Sequence, residues 1–239
     1  MIIKQRLFLV LIITNLMIFA GQSVFAKDNS RYQFYTPTNE GTGKVYMGRE
    51  IAHVMGFQGA AWLERESRQK EERTDLLLKS LDLKAGMAVA DIGAGTGFLS
   101  RGMANLVGEK GRVFAVDIQP EMLGKLKKLQ KTYPNITPVL ASDLRTNLNT
   151  NSVDMAIMVD VYHELSYPYE VLQDTLQALK QNGQLVLVEY RAEDDAVPIK
   201  ATHKMSEAQI IKELGVHGFV HKKTIHSLPW QHIVIFSKP

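Results

Sequence analysis

Val89-Ala90-Asp91-Ile92-Gly93-Ala94-Gly95-Thr96-Gly97-Phe98-Leu99-Ser100 is the stretch on which the fold turns. A short apolar run ends in an acid, glycines follow at every second position, and an amphipathic segment starts at Phe98. The pattern predicts a strand, a tight turn and the first turn of a helix. Glycine reaches positive φ without a Cβ penalty and lets backbone N–H groups come close to a bound molecule. The turn is therefore a ligand loop, and the rest of the chain has to say which ligand.

Downstream, the rhythm repeats. Strands are predicted over Met87–Ile92, Arg112–Val116, Ile136–Leu140, Val153–Val159 and Leu185–Glu189. Helices are predicted over Phe98–Val107, Gln119–Lys131 and Pro168–Lys180, the last ended by Gln181-Asn182-Gly183. A helix over Met205–Leu214 and strands over Gly218–Ile225 and Ile233–Ser237 close the chain. This alternation predicts an α/β fold, a Rossmann-like doubly wound seven-stranded sheet. Only Ser227-Leu228-Pro229-Trp230 stands between the last two strands, too little for a parallel crossover, so they form an antiparallel C-terminal hairpin. Such sheets bind ligands at the carboxyl ends of their parallel strands. Asp91, Asp117, Asp143 and Asp160 all fall at or just beyond those ends.

Upstream, Lys4 and Arg6 precede an apolar run from Leu7 to Ala20, and Val24-Phe25-Ala26 offers the small residues a signal peptidase reads. Residues 1–26 are expected to be a signal peptide, making the domain exported, periplasmic or secreted, with a retained anchor or an internal start as the alternatives. Residues 27–59 read as an N-terminal arm, irregular over 27–48 and then a short helix over Ile51–Met55. A long helix is expected from Ala60 to Leu81, with its charged middle, Glu64 to Glu72, as a solvated face and Trp62 in the core. Residues 60–239 make up the main domain.

Composition narrows the chemistry. The 239 residues contain no cysteine, which excludes a thiolate metal site, a cysteine nucleophile, a disulfide and a lipid-anchored lipoprotein. The formal charge of +3 falls to +1 without residues 1–26, and no basic block points to nucleic acid. The seven histidines are scattered in sequence, so no metal site is expected.

Two cofactors compete for the loop. A dinucleotide fingerprint needs a third glycine or alanine where this chain has Phe98, and no Gly-Lys-Ser/Thr follows for a phosphate grip. With Val116-Asp117, Ser142-Asp143, Asp154 through Glu164, and Leu179 through Leu185, the chain resembles the class I, seven-strand, S-adenosylmethionine-dependent methyltransferases. The resemblance covers about residues 60–239 and extends to exported bacterial proteins carrying this domain. It implies an enzyme that moves a methyl group from S-adenosylmethionine to a small-molecule acceptor. A binding module that has lost transfer and a dinucleotide-dependent oxidoreductase are the other readings.

The resemblance also implies roles. Gly93, Gly95 and Gly97 make room for the methionine and ribose portions, and Asp91 orients the loop and the amino group. Asp117 accepts from the ribose hydroxyls, with Ile118 against the adenine. Asp143 accepts from the adenine amine beside Leu144, and Asp160 approaches the methionine end. The loop Asp160-Val161-Tyr162-His163-Glu164-Leu165 then faces the acceptor, with His163 as general base or orienting group and Glu164 or Tyr162 as its partners. It lacks the Asn/Asp-Pro-Pro-Tyr pattern of nucleic-acid amino methyltransferases. Glu189-Tyr190-Arg191 and His203-Lys204 are placed at the same mouth.

Overall fold

A run such as Val153–Val159, apolar without alternation, has no solvent face and must be covered on both sides. The computed structural model, which describes residues 31–239, gives it that place near the middle of the main sheet. The export signal read at residues 1–26 lies outside the described residues. Among them, no helix is long and apolar enough to cross a membrane.

The chain begins with a small antiparallel sheet of β1 (Tyr32–Phe34), β2 (Gly41–Tyr46) and β3 (Arg49–Ala52). From Tyr32 onward this corrects the expected irregular arm, and β3 corrects the expected helix at Ile51. Tyr46 pairs with Arg49, leaving Met47 and Gly48 as a two-residue hairpin loop, both at positive φ. Met-Gly carries no obvious turn signature, so the hairpin is hard to see in the sequence. Its apolar points, Tyr32, Tyr46 and Ile51, pack with Tyr169.

The long helix expected over Ala60–Leu81 is three short ones: α1 (Ala60–Leu63), α2 (Arg68–Glu72) and α3 (Thr74–Ser80). Arg73 sits at φ 49, a left-handed residue that ends α2 and starts α3 in a new direction. Arg68 and Glu72, within the stretch expected to be solvated, are buried.

The alternating unit follows as β4 (Ala88–Ile92), α4 (Phe98–Val107), β5 (Arg112–Asp117), α5 (Pro120–Leu129), β6 (Ile136–Leu140), β7 (Val153–Val159), α6 (Pro168–Ala178) and β8 (Leu179–Arg191). The two-residue strand β9 (Lys204–Met205), α7 (Glu207–Gly215), β10 (Val220–Ile225) and β11 (Gln231–Ser237) complete it. The main sheet runs β10-β11-β8-β7-β4-β5-β6, with β9 added beside the end of β8. The β4, β5, β6, β7 and β8 pairings are parallel, and β11 is antiparallel to both β8 and β10. The predicted doubly wound sheet and antiparallel closing hairpin are therefore present. One boundary differs: α6 passes into β8 without a loop, and Gln181-Asn182-Gly183 falls in a bulge of that strand, with Asn182 at φ 67.

The sheet is covered on both faces. Leu77, Met103 and Leu126 pack against Val89, Val113 and Ile157 on one side. Leu172, Ile210 and Leu214 pack against Ala90, Met158 and Leu187 on the other. Leu126 also lies directly beneath Gly97, so it ties α5 to the start of α4. Leu126→Ala removes a fully buried side chain and is expected to cost about 2–5 kcal/mol, measured by urea unfolding.

Candidate active site

A cavity of about 600 Å³ opens at the carboxyl ends of β4, β5, β6 and β7, within the range of small-ligand sites. In-register pairing of Ile92 with both Val116 and Met158 brings Gly93, Asp117 and Val159 to one level, where all three line the wall.

The glycine loop is held from below. Gly93 and Ala94 N–H both donate to the carbonyl of Val116, at 2.8 and 2.9 Å. Gly95 N–H donates to Asp117 Oδ2 at 2.8 Å, and Gln119 N–H to Asp117 Oδ1 at 2.9 Å. Gly93, Gly95 and Gly97 all sit at positive φ. A Cβ on Gly93 would lie 2.4 Å from Val161, and one on Gly95 2.5 Å from Leu63, so neither position has room for a side chain. Gly97 does different work. It faces Leu126 and Leu129 and permits α4 to start close against α5, away from the cavity.

The four strand-end acids divide in the same way. Asp117, Asp143 and Asp160 line the cavity, with Asp143 on its exposed rim. Asp91 does not reach the wall: it is buried under the loop, where Ser100 Oγ donates to it at 2.5 Å. Its role is to hold the loop to the first turn of α4. Ile118 lines the cavity, whereas Leu144 is an exposed residue outside it, and Arg145 lines the rim instead. Asp160 sits at φ 53 and accepts from Gln231 Nε2 at 2.7 Å. Its Oδ1 is buried with no hydrogen-bond partner among the described residues. Burial and the neighbouring Glu72 and Glu189 hold its carboxyl well above the usual range.

Glu72 was not expected here, because its segment reads as a solvated charge run. In the structure its carboxylate is buried, with Oε1 taking Arg65 at 2.5 Å and Tyr190 Oη at 3.0 Å, and Oε2 taking Arg68 at 2.6 Å. Arg65, Arg68, Glu72 and Tyr190 all line the cavity. The Arg68-Glu72 spacing of four was the available signal, but the same spacing occurs on any exposed helix. Trp62, expected in the core, is half-exposed on the cavity wall with the Arg65 guanidinium over its ring.

At the far end of the cavity, His163 is buried, yet lines the wall. Its Nδ1 lies 2.5 Å from Glu189 Oε2 and its Nε2 3.0 Å from His203 Nδ1. Glu189 is fixed in turn by Tyr162 N–H at 2.9 Å. Burial lowers His163 to about 3 and raises Glu189 to about 8, so the imidazole is kept neutral. Glu164 also lines the cavity, oriented by Met55 N–H at 3.1 Å. Tyr162, named beside it in the sequence, is not part of this wall. Its hydroxyl donates to Glu213 at 2.7 Å, in the same buried group as Arg49.

Glu189 and His203 therefore do meet His163, 26 and 40 residues away in sequence, and Tyr190 lines the same cavity through its bond to Glu72. Their neighbours do not. Arg191 donates to the carbonyls of Leu228 and Gln231 at 2.9 and 2.7 Å and clamps the final turn. Lys204 donates to the carbonyl of Asp194.

Residues 90–187 match the family model of a methyltransferase domain. A solved S-adenosylmethionine-dependent methyltransferase from Aquifex aeolicus superposes with a TM-score of 0.73 and 26% identity, covering 78% of this chain and all of that one. The ubiquinone/menaquinone biosynthesis C-methyltransferase UbiE of Coxiella burnetii is 26% identical over 144 residues, 59% of this chain and 57% of its own length. The Neisseria gonorrhoeae enzyme of the same name is 31% identical over 109 residues, 45% of this chain and 44% of its own length. The chain thus spans about half the length of the curated relatives it matches.

Burial pushes the Asp91 carboxyl up to about 6, so the folded protein binds that proton more tightly than the unfolded chain does. Its contribution to stability is whole below pH 4 and is lost as pH rises through 6. Asp91→Asn, which cannot ionise, is expected to gain on the order of 3 kcal/mol relative to the parent between pH 4 and pH 8. Urea unfolding of both proteins at the two pH values measures the difference.

Proposed function

We propose that this chain, which belongs to the class I S-adenosylmethionine-dependent methyltransferases, transfers the methyl group of that cofactor to a small-molecule acceptor. The observation that carries the reading is the pairing, in one cavity, of a glycine cradle with acids of two kinds. Asp117 and Asp143 stand at the ends of adjacent strands, and Asp160 offers an unpartnered buried oxygen opposite them.

The residues fit the cofactor. Gly93 and Gly95 line the cavity at positive φ and let Val161 and Leu63 pack directly against the loop backbone. Asp117 uses one lone pair on each oxygen to hold the loop, which leaves acceptor capacity for the ribose hydroxyls. Ile118 gives an apolar face for the adenine, and Asp143 on the rim an acceptor for its amine. Asp160 faces the methionine end, where a buried acid with a free oxygen is best satisfied by a donor such as the amino group. When bound, S-adenosylmethionine supplies an electrophilic methyl carbon on a sulfonium, the C–S electron pair remaining with sulfur.

The protein's part in transfer is then to seat an acceptor and expose its nucleophilic atom. His163, Glu164 and His203 form the polar end of the cavity for this, and His163 is anchored by Glu189 rather than free to swing. Trp62, Leu63, Met55 and Ile199 give the same region apolar walls, suited to an acceptor with an apolar body. The same reading takes residues 60–239 as the catalytic domain and residues 1–26 as an export signal, which fractionation with N-terminal sequencing of the native protein tests.

Calorimetry with S-adenosylhomocysteine and with NAD separates this function from an oxidoreductase. Binding of the homocysteine and none of NAD is expected, and the reverse would overturn the reading. Asp117→Ala is expected to weaken S-adenosylhomocysteine about 10–100-fold, the worth of hydrogen bonds to a charged group. Gly95→Ala, whose Cβ meets Leu63, is expected to abolish binding in the same titration.

A further inference from the structure

The geometry points to a divalent-cation site made by His163, Glu164 and His203 at the acceptor end of the cavity. His163 Nε2 lies 3.0 Å from His203 Nδ1, His203 Nδ1 lies 3.4 Å from Glu164 Oε1, and His163 Nε2 lies 3.8 Å from the same oxygen. Two imidazoles and a carboxylate around a zinc-class ion have bonds of about 2.0–2.2 Å and leave a fourth position open. Ligand atoms at such bond lengths stand roughly 3.3–3.5 Å apart, which is the scale of this triangle, and a point about 2.0 Å from all three exists near its centre. The three donor atoms already stand within 3.8 Å of one another.

The surroundings are those of a ligand set. His163 is oriented by Glu189, whose Oε2 lies 2.5 Å from its other nitrogen and holds the ring with Nε2 toward the triangle. The backbone carbonyl of His163 is pinned by Arg49 at 3.1 Å, and the second oxygen of Glu164 by Met55 N–H at 3.1 Å. Arg49 is itself paired with Glu213, so its charge is matched close by. All three ligands line the cavity, so the fourth position faces the space proposed for the acceptor. With nitrogen and oxygen donors and no thiolate, the site suits Zn²⁺, Co²⁺ or Ni²⁺ better than Ca²⁺ or a soft ion.

On loading, the ring that holds the hydrogen between the two imidazoles gives it to water and takes a proton from water on its other nitrogen, so that both rings stay neutral and each offers a lone pair to the ion. The ion's role in the reaction rests on the methyl-transfer reading above. A hydroxyl or enol oxygen of the acceptor seated on the ion breaks its O–H bond more readily. The electron pair stays on oxygen, the proton goes to water, and the oxyanion is the nucleophile for the methyl carbon. The class of acceptor is then an acidifiable O–H compound with an apolar body.

The test is titration of chelator-treated full-length protein with Co²⁺, read by visible d–d absorption and by calorimetry. One equivalent with a tetrahedral or five-coordinate spectrum is expected. His203→Gln and Glu164→Gln should each weaken Co²⁺ by at least about 10-fold, and Glu189→Gln by about 10–100-fold with the spectrum retained. His221→Gln, remote on the edge hairpin, should leave the titration unchanged. No saturable uptake, or uptake unaltered by His203→Gln in a variant whose circular dichroism matches the parent, overturns the site. S-adenosylhomocysteine binding without Co²⁺ binding would sink the cation alone, and Co²⁺ binding without S-adenosylhomocysteine binding would sink the methyl-transfer reading alone.

Discussion

One carboxylate fixes the geometry of the whole cofactor end. Asp117 stands at the last position of β5 and takes the N–H of Gly95 from the neighbouring loop and that of Gln119 from its own. A loop with three glycines at positive φ is costly to order, because glycine gives up more freedom than any other residue, and Asp117 adds two bonds to those that Val116 and Asp91 already supply. The parallel register between β4 and β5 puts donor and acceptor at the same height, so the sheet itself sets the bond. Everything farther from the axis, including Asp160 and Val161 against Gly93, is positioned relative to a loop already held.

A second constraint is electrostatic. Arg65, Arg68, Glu72 and Tyr190 join the short helices before β4 to the end of β8. Buried charge is tolerated only when matched, and here one carboxylate meets two guanidiniums and a phenol. The left-handed Arg73 that follows Glu72 separates this group from α3. The N-terminal wall thus combines these polar contacts with the apolar side chains of Met55, Trp62 and Leu63.

The sequence and the structure agree where the physics is local. Alternating strand and helix, the glycine turn, the acids at strand ends and the short final connection were all legible, because each depends on residues close in the chain. The antiparallel closing hairpin followed from connection length, whereas the order of the strands across the sheet did not. What was not legible depends on distant partners. Nothing near Glu72 distinguishes a buried acid from a solvated one, and nothing near Met47-Gly48 marks a hairpin. Tyr162 and His163 are adjacent, yet one hydroxyl goes to Glu213 and the other ring to the cavity. His203 reaches His163 only because the segment after β8 returns to pair as β9 beside that strand. Asp91 was correctly placed at a strand end but faces Ser100, since the acid inside the strand and the acid just beyond it point to different sides of the loop.

The origin of the cavity's walls has a consequence for how such proteins diverge. Residues 90–187, the portion shared with the methyltransferase family, contain the glycine loop, Asp117, Asp143 and Asp160. Part of the wall at the other end, from His53 to Glu72 and from Pro198 to His203, comes from outside that portion on both flanks and meets His163 and Glu164 from within it. The glycine loop and the strand-end acids are carried with the sheet, while the rest of the enclosure is shared between the sheet and the flanks. Substitutions in the flanks can therefore reshape that end of the cavity without disturbing the loop, and two chains alike over residues 90–187 can differ in the space beside it.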